Sequence, residues 1–204
     1  MSLLNTNRWN RLRYSLWAPV YDRLVGSFER ARADSLRRLE LRPGERVLVV
    51  GAGTGADLPH LPGGCPALVT DLTPAMLAVA RPKLRPGMRI ALMDGQRLAV
   101  KDAAFDAVVL HLILAVIPDP VRGLREAARA LRPGGRAVAF DKFVRGERVP
   151  LAVRLVNPLA RVLFTEMTRD FEAILAASGA PLVVHQDEPA SFGGLYRSLL
   201  LRRA

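Results

Sequence analysis

The stretch that most restricts the fold runs from residue 46 to residue 71. Arg46-Val47-Leu48-Val49-Val50 is a short β-branched run that opens directly into Gly51-Ala52-Gly53-Thr54-Gly55. A continuous apolar run bounded by glycines predicts a strand buried on both faces. Glycines at alternate positions let the backbone turn sharply and approach a ligand, and a helix starting just beyond them would offer free N–H groups to it. Ala67-Leu68-Val69-Thr70-Asp71 predicts a second strand, ending in a carboxylate 20 residues past Gly51. An acid so placed can accept both ribose hydroxyls of a bound nucleoside. Dinucleotide sites favour G-x-G-x-x-G with a pyrophosphate at the helix N-terminus. Here G-x-G-x-G is followed by Ala56 and Asp57, and the Asp57 charge opposes a pyrophosphate.

Strand and helix patterns keep alternating. Met88–Asp94, Phe105–His111 and Ala137–Phe140 predict three more strands. Thr73 and Pro74 read as a cap and first residue for a helix over Ala75–Arg81. Val121, Leu124, Ala128 and Leu131 give helical spacing to Pro120–Leu131, which stops at Pro133-Gly134-Gly135. Such alternation predicts an α/β fold: a Rossmann-like, doubly wound, mostly parallel sheet covered on both faces. The end differs, with a helix over Phe171–Ser178 closing at Gly179 and then two strands, Leu182–His185 and Tyr196–Leu201, in a hairpin-like finish. Residues 1–45 predict a basic helical cap broken at Pro19, and residues 143–170 a helical insertion over the site. At 204 residues the whole reads as one domain.

A composition of 50% hydrophobic and 24% charged residues excludes disorder throughout the chain. The net charge of +11 favours anionic partners such as nucleic acid, an anionic membrane or an acidic substrate. Nearly all of it is arginine, the only lysines being Lys83, Lys101 and Lys142, and a composition bias would produce the same excess with no partner. The single cysteine, Cys65, excludes an internal disulfide and a multi-cysteine metal site. With no secretory signal pattern and no apolar run of about 20 residues, a cytoplasmic location is expected.

Several segments in sequence order resemble the class I S-adenosylmethionine-dependent methyltransferases. They are Val47–Gly55, Leu68–Ala80, Met93-Asp94-Gly95-Gln96, Phe105–Val109 and Leu131–Gly135, and together they cover residues 40–142. The resemblance implies S-adenosylmethionine as cofactor and a reversed last strand. It implies that Gly51, Ala52, Gly53, Thr54 and Gly55 line the methionine portion, that Asp71 holds the ribose, and that Leu72 and Met76 pack on the adenine. Asp94 would accept from the adenine amino group, with Gly95 and Gln96 alongside. One departure stands out: the family's usual carboxylate two residues before the first glycine is Val49 here, so the methionine ammonium would need backbone carbonyls or Asp57 instead. Asp57 is equally readable as a first-turn acid that suits the helix dipole.

His111, at the end of the fourth strand, is the candidate general base, able when neutral to take a proton from an attacking amine or hydroxyl; it is equally a wall residue of the cofactor site. Asp141 and Lys142 end the fifth strand, either as acceptor-site groups or as a pair that neutralises itself. No metal is expected, because no carboxylate–amide set stands at that strand end. Ala18-Pro19-Val20-Tyr21-Asp22 resembles an element of quinone-biosynthesis C-methyltransferases and bacterial phosphatidylethanolamine N-methyltransferases, which implies that Tyr21 lies over the cofactor. Trp9, Tyr14, Trp17 and Tyr21 are interleaved with Arg8, Arg11, Arg13 and Arg23, and residues 148–164 carry arginines on an apolar background. Either segment could lie on an anionic membrane or simply pack. The resulting expectation is methyl transfer to a small-molecule or lipid-like acceptor, a phospholipid amine or a quinone. The alternatives are a nucleic-acid methyltransferase, weakened by the absence of an Asn/Asp-Pro-Pro-aromatic element after strand four, and a cofactor-binding module without catalysis.

Overall fold

The computed structural model describes residues 5–22, 26–144 and 166–204. Most of the expected insertion over 143–170, residues 145–165, lies outside the described residues. Among the described residues, α1 (Asn7–Trp17) and α2 (Glu29–Arg37) precede the sheet. The sheet then builds from β1 (Val47–Val50), β2 (Ala67–Asp71), β3 (Met88–Leu92) and β4 (Phe105–His111), with α3 (Pro74–Ala80) between β2 and β3. After β4 come α4 (Pro120–Ala130), β5 (Leu131–Lys142), α5 (Phe171–Ser178), β6 (Leu182–Ser191) and β7 (Tyr196–Arg203).

Seven strands form one sheet in the order β3-β2-β1-β4-β5-β7-β6. The first five pair in parallel, while β7 is antiparallel to both β5 and β6. The reversed last strand is therefore present. Strand side chains alternate between faces, and β1 shows the outcome. Leu48 and Val50 enter one core with Leu124 of α4 and Phe171 of α5, while Val47 and Val49 enter the other with Leu36 of α2 and Leu58. Both faces are covered, which explains why β1 reads as unbroken apolar sequence.

Local differences from the sequence reading have physical causes. No α-helix follows the glycine loop; Leu58–His60 makes one 3₁₀ turn. Pro59, Pro62 and Pro66 crowd the short crossover to β2 and remove the N–H donors a longer helix needs. Any ligand at this loop meets loop amides rather than a helix N-terminus. Thr73 makes no side-chain cap on α3. β5 begins at Leu131, ahead of the expected start, and a register shift between Phe105 and Ala107 absorbs the extra residues, with Gly134 at φ +71°. β6 runs on to Ser191 through two irregularities in its pairing.

Leu124 anchors α4 on the sheet with no exposed surface. Leu124→Ala is expected to cost about 2–5 kcal/mol through lost burial and a residual cavity. At about 2–4 °C per kcal/mol for a domain of this size, thermal unfolding should show a Tm lower by roughly 4–20 °C.

Candidate active site

The carboxyl ends of the parallel strands converge on one cleft, a concave, largely apolar site with a few polar groups of the kind that small molecules occupy. Its floor is the glycine loop. Gly51 and Gly53 have φ of +68° and +55°, a region L side chains rarely enter. A Cβ on Gly51 would collide with Ile113, and one on Gly53 would stand 3.8 Å from the Tyr21 ring.

Asp71 is pinned at the end of β2. One carboxylate oxygen accepts from the Gly53 N–H at 2.8 Å and the other from the Thr73 N–H at 2.7 Å. Burial pushes its carboxyl above the ordinary value, while these N–H groups pull the other way. Asp94 follows β3. Gln96 donates to its Oδ1 from the backbone at 2.9 Å and from the side chain at 3.0 Å, and Asn7 of α1 donates to Oδ2 at 2.6 Å. Leu72, Met76 and Met93 on one side and Ile113, Val116 and Ile117 on the other give the cleft apolar walls. Two fixed carboxylates at its rim, apolar walls suited to a flat ring and a glycine floor fit an adenosyl cofactor.

The N-terminal segment forms the roof. Tyr21 borders the cleft, and the next residue, Asp22, accepts from the Thr54 hydroxyl and from Lys83 at 2.7 Å. The rings of Tyr14 and Tyr21 meet edge to face at 5.9 Å. Burial pushes the Tyr21 phenol up to about 12, so its hydroxyl keeps its proton at neutral pH and serves as a hydrogen-bonding group.

Behind the loop lies a buried ionic network. Arg32 of α2 donates from Nη1 to both oxygens of Asp57 at 2.9 Å. His111 Nδ1 lies 2.7 Å from Asp57 Oδ1, and its Nε2 lies 3.0 Å from the Ser35 hydroxyl. The Arg32 guanidinium holds the Asp57 carboxyl well below the usual carboxylate range despite burial. Both His111 nitrogens are thus engaged away from the cleft, and its side chain has no exposed surface. This arrangement places it behind the cleft rather than in its wall and offers no ring nitrogen to an acceptor. Asp57 likewise is committed to Arg32 and His111, neither the exposed first-turn acid nor a spare acceptor for an ammonium. The Asp141 oxygens accept from the Ala115 and Lys142 N–H groups, both at 2.8 Å. Lys142 extends over the Tyr196 ring, 5.5 Å from its centroid.

Of the residues expected at the cofactor, Gly51, Gly53, Asp71, Leu72, Met76, Asp94 and Gly95 border the cleft. Ala52, Thr54, Gly55, Asp57, Gln96 and His111 stand behind it. Sequence reasoning missed Asn7, Asn10, Arg32 and Ser35. The only available signal was the Asn7, Asn10, Tyr14 spacing, one helical stripe of polar groups inside a basic segment.

Asp57→Ala leaves the Arg32 guanidinium buried without its anion, at an expected cost of about 3–5 kcal/mol. For this chain length that is a Tm lower by roughly 6–20 °C. Because the folded carboxyl titrates below its unfolded value, its contribution is complete above about pH 4 and fades as pH falls. Chemical denaturation across pH should show wild type and Asp57→Ala converging only in acid.

Residues 48–139 match a methyltransferase domain family. The chain is 35% identical over 197 residues to a phosphatidylethanolamine N-methyltransferase of Cereibacter sphaeroides, covering 93% of this chain and 95% of that one. A demethylmenaquinone methyltransferase of Beutenbergia cavernae is 38% identical over 111 residues, 54% of this chain and 46% of its own. In fold, a solved S-adenosylmethionine-dependent methyltransferase of Thermotoga maritima superposes with a TM-score of 0.71 at 18% identity, over 94% of this chain and 99% of its own. The chain belongs to the S-adenosylmethionine-dependent methyltransferases, and S-adenosylmethionine is its cofactor.

Proposed function

We propose that this methyltransferase acts on the amine of a phospholipid headgroup at an anionic membrane surface. The observation that carries the proposal is α1, which is inside out for a helix in water. It buries Asn10 and Arg13 and exposes Trp9, Leu12, Leu16 and the following Val20 at helical spacing, with Leu16 73% exposed. Arg8 and Arg11 stand exposed beside that stripe. An apolar stripe flanked by arginines fits insertion at a lipid interface with phosphate contacts. The inner side of the same helix borders the cofactor cleft, which would bring a lipid headgroup to the site. End-to-end similarity to a phosphatidylethanolamine N-methyltransferase supports the amine over the quinone, whose relatives match about half of this chain. Among the described residues no helix is long and apolar enough to cross a membrane.

Arg13 departs from the expected basic face. It is 5% exposed, donates to Asn10 at 2.7 Å and lies 4.8 Å from the Tyr14 ring centroid. Tyr14 turns inward with it. The second arginine-bearing stretch, residues 148–164, lies outside the described residues.

When bound, S-adenosylmethionine supplies an electrophilic methyl on a sulfonium, for in-line displacement by a deprotonated nucleophile. In this reading Asp71 and Asp94 hold the adenosine, Tyr21 closes the glycine loop from above, and His111 positions that loop through Asp57. The apolar walls disfavour a charged amine and so favour its neutral, nucleophilic form.

Labelled methyl transfer into phosphatidylethanolamine vesicles, with demethylmenaquinone as competitor substrate, tests the acceptor. Product on the lipid amine is expected, and product on the quinone alone would replace this reading with the second. Replacing Arg8 and Arg11 by Gln should weaken binding to anionic vesicles by about 30-fold, at about 1 kcal/mol per arginine, in a co-sedimentation assay. Absence of wild-type pelleting at low salt would remove the membrane surface from the proposal.

A further inference from the structure

Asn7 and Asp94 border two cavities at once. One is the cofactor cleft, and the other opens between the start of α1 and the Glu166–Arg169 segment. The hydrogen bond from Asn7 to Asp94 is therefore the partition between them. It is reinforced from both sides. The Gln96 side-chain N–H groups donate to Asn7 Oδ1 at 3.1 Å and to Asp94, while Gln96 Oε1 accepts from the Asp119 N–H at 2.8 Å. Further along the same helix face, Asn10 donates to the Val116 carbonyl at 3.2 Å. These polar ties from the inner stripe of α1 end on groups that border the cofactor cleft or brace them. Side-chain amides in this setting make bonds that break and reform without disturbing an apolar core, since the face of α1 turned to the body at these positions is polar.

We propose that α1 is the gate of the cofactor site and that Asn7 is its latch, closing on Asp94 and Gln96 to retain the cofactor and releasing them for exchange. The inference rests on Asp94 standing at the adenosine end of the bound cofactor. Asn7 is a positioning residue in this scheme: its amide orients the carboxylate and closes the wall, and it takes no part in methyl transfer. A gate differs kinetically from a simple contact. Opening precedes both entry and exit, so loosening the latch accelerates both, whereas loss of a contact to the ligand accelerates exit alone.

Stopped-flow binding of S-adenosylhomocysteine to the full chain tests this. Asn7→Ala is expected to speed release about tenfold, the worth of one good hydrogen bond, and to speed association in the same sense. Asn7→Ser, too short to reach Asp94, should behave alike and serves if Asn7→Ala does not fold. Release within twofold of wild type, or faster release with unchanged association, overturns the gate. Asp94→Ala separates the underlying assignment: if it leaves the equilibrium affinity for S-adenosylhomocysteine unchanged, Asp94 is not at the adenosine end. If it weakens binding while the Asn7 variants behave as wild type, the latch alone fails.

Discussion

A buried guanidinium has to be neutralised, and the way this chain neutralises Arg32 organises the site. Arg32 comes from α2, its anion Asp57 from the far side of the glycine loop, and His111 from the end of β4. Three segments distant in sequence are held together by one charge that cannot stay in an apolar interior unpaired. The loop that carries Gly51 and Gly53 is thereby tied from behind. Asp71 fixes the same loop from the front through the Gly53 amide. With both sides fixed, the glycine backbone keeps left-handed conformations that would otherwise be floppy, and the cleft has a floor before any ligand arrives.

The N-terminal cap depends on this floor in turn. Asp22 reaches Thr54 in the loop, and Tyr21 settles over Gly53, where a Cβ would stand 3.8 Å from its ring. The roof is thus built from polar anchors, with α1 presenting Asn7, Asn10 and Tyr14 inward. A helix that spends its polar residues on the interior has to show its apolar ones to the outside. The exposed Leu12 and Leu16 are the consequence. One helix thereby borders the cofactor on one side and offers an apolar, arginine-flanked stripe on the other, which is why retention of cofactor and docking to lipid are proposed for the same element.

The fold was legible because its signals are short-range. The β-branched run Val47–Val50, the glycines that stop it and Asp71 at the end of the next strand each follow from local residue chemistry, and they predict a parallel sheet with a nucleoside acid in place. The hairpin-like finish was equally visible, and β7 does run against its neighbours. Where the reading faltered, local pattern was outweighed. A helix after the glycine loop follows from the strand–glycine pattern, but three prolines in the crossover left room for one 3₁₀ turn.

The sequence by itself determined the α/β architecture and the placement of Asp71 and Asp94 just beyond their strands, because strand periodicity, turn chemistry and strand-end placement are properties of contiguous residues. Only the tertiary structure decided the fates of the charged and ambiguous side chains. His111 and Asp57 look like site residues from their positions, yet each turns toward the buried Arg32 network. Arg13 looks like its neighbours Arg8 and Arg11, yet it is buried against Tyr14 and Asn10. Asn7 carried no strong signal at all, since its importance lies in meeting Asp94, 87 positions away. The physical reason is common to all four: a polar side chain is assigned by the partner that satisfies it, and that partner is chosen by the fold.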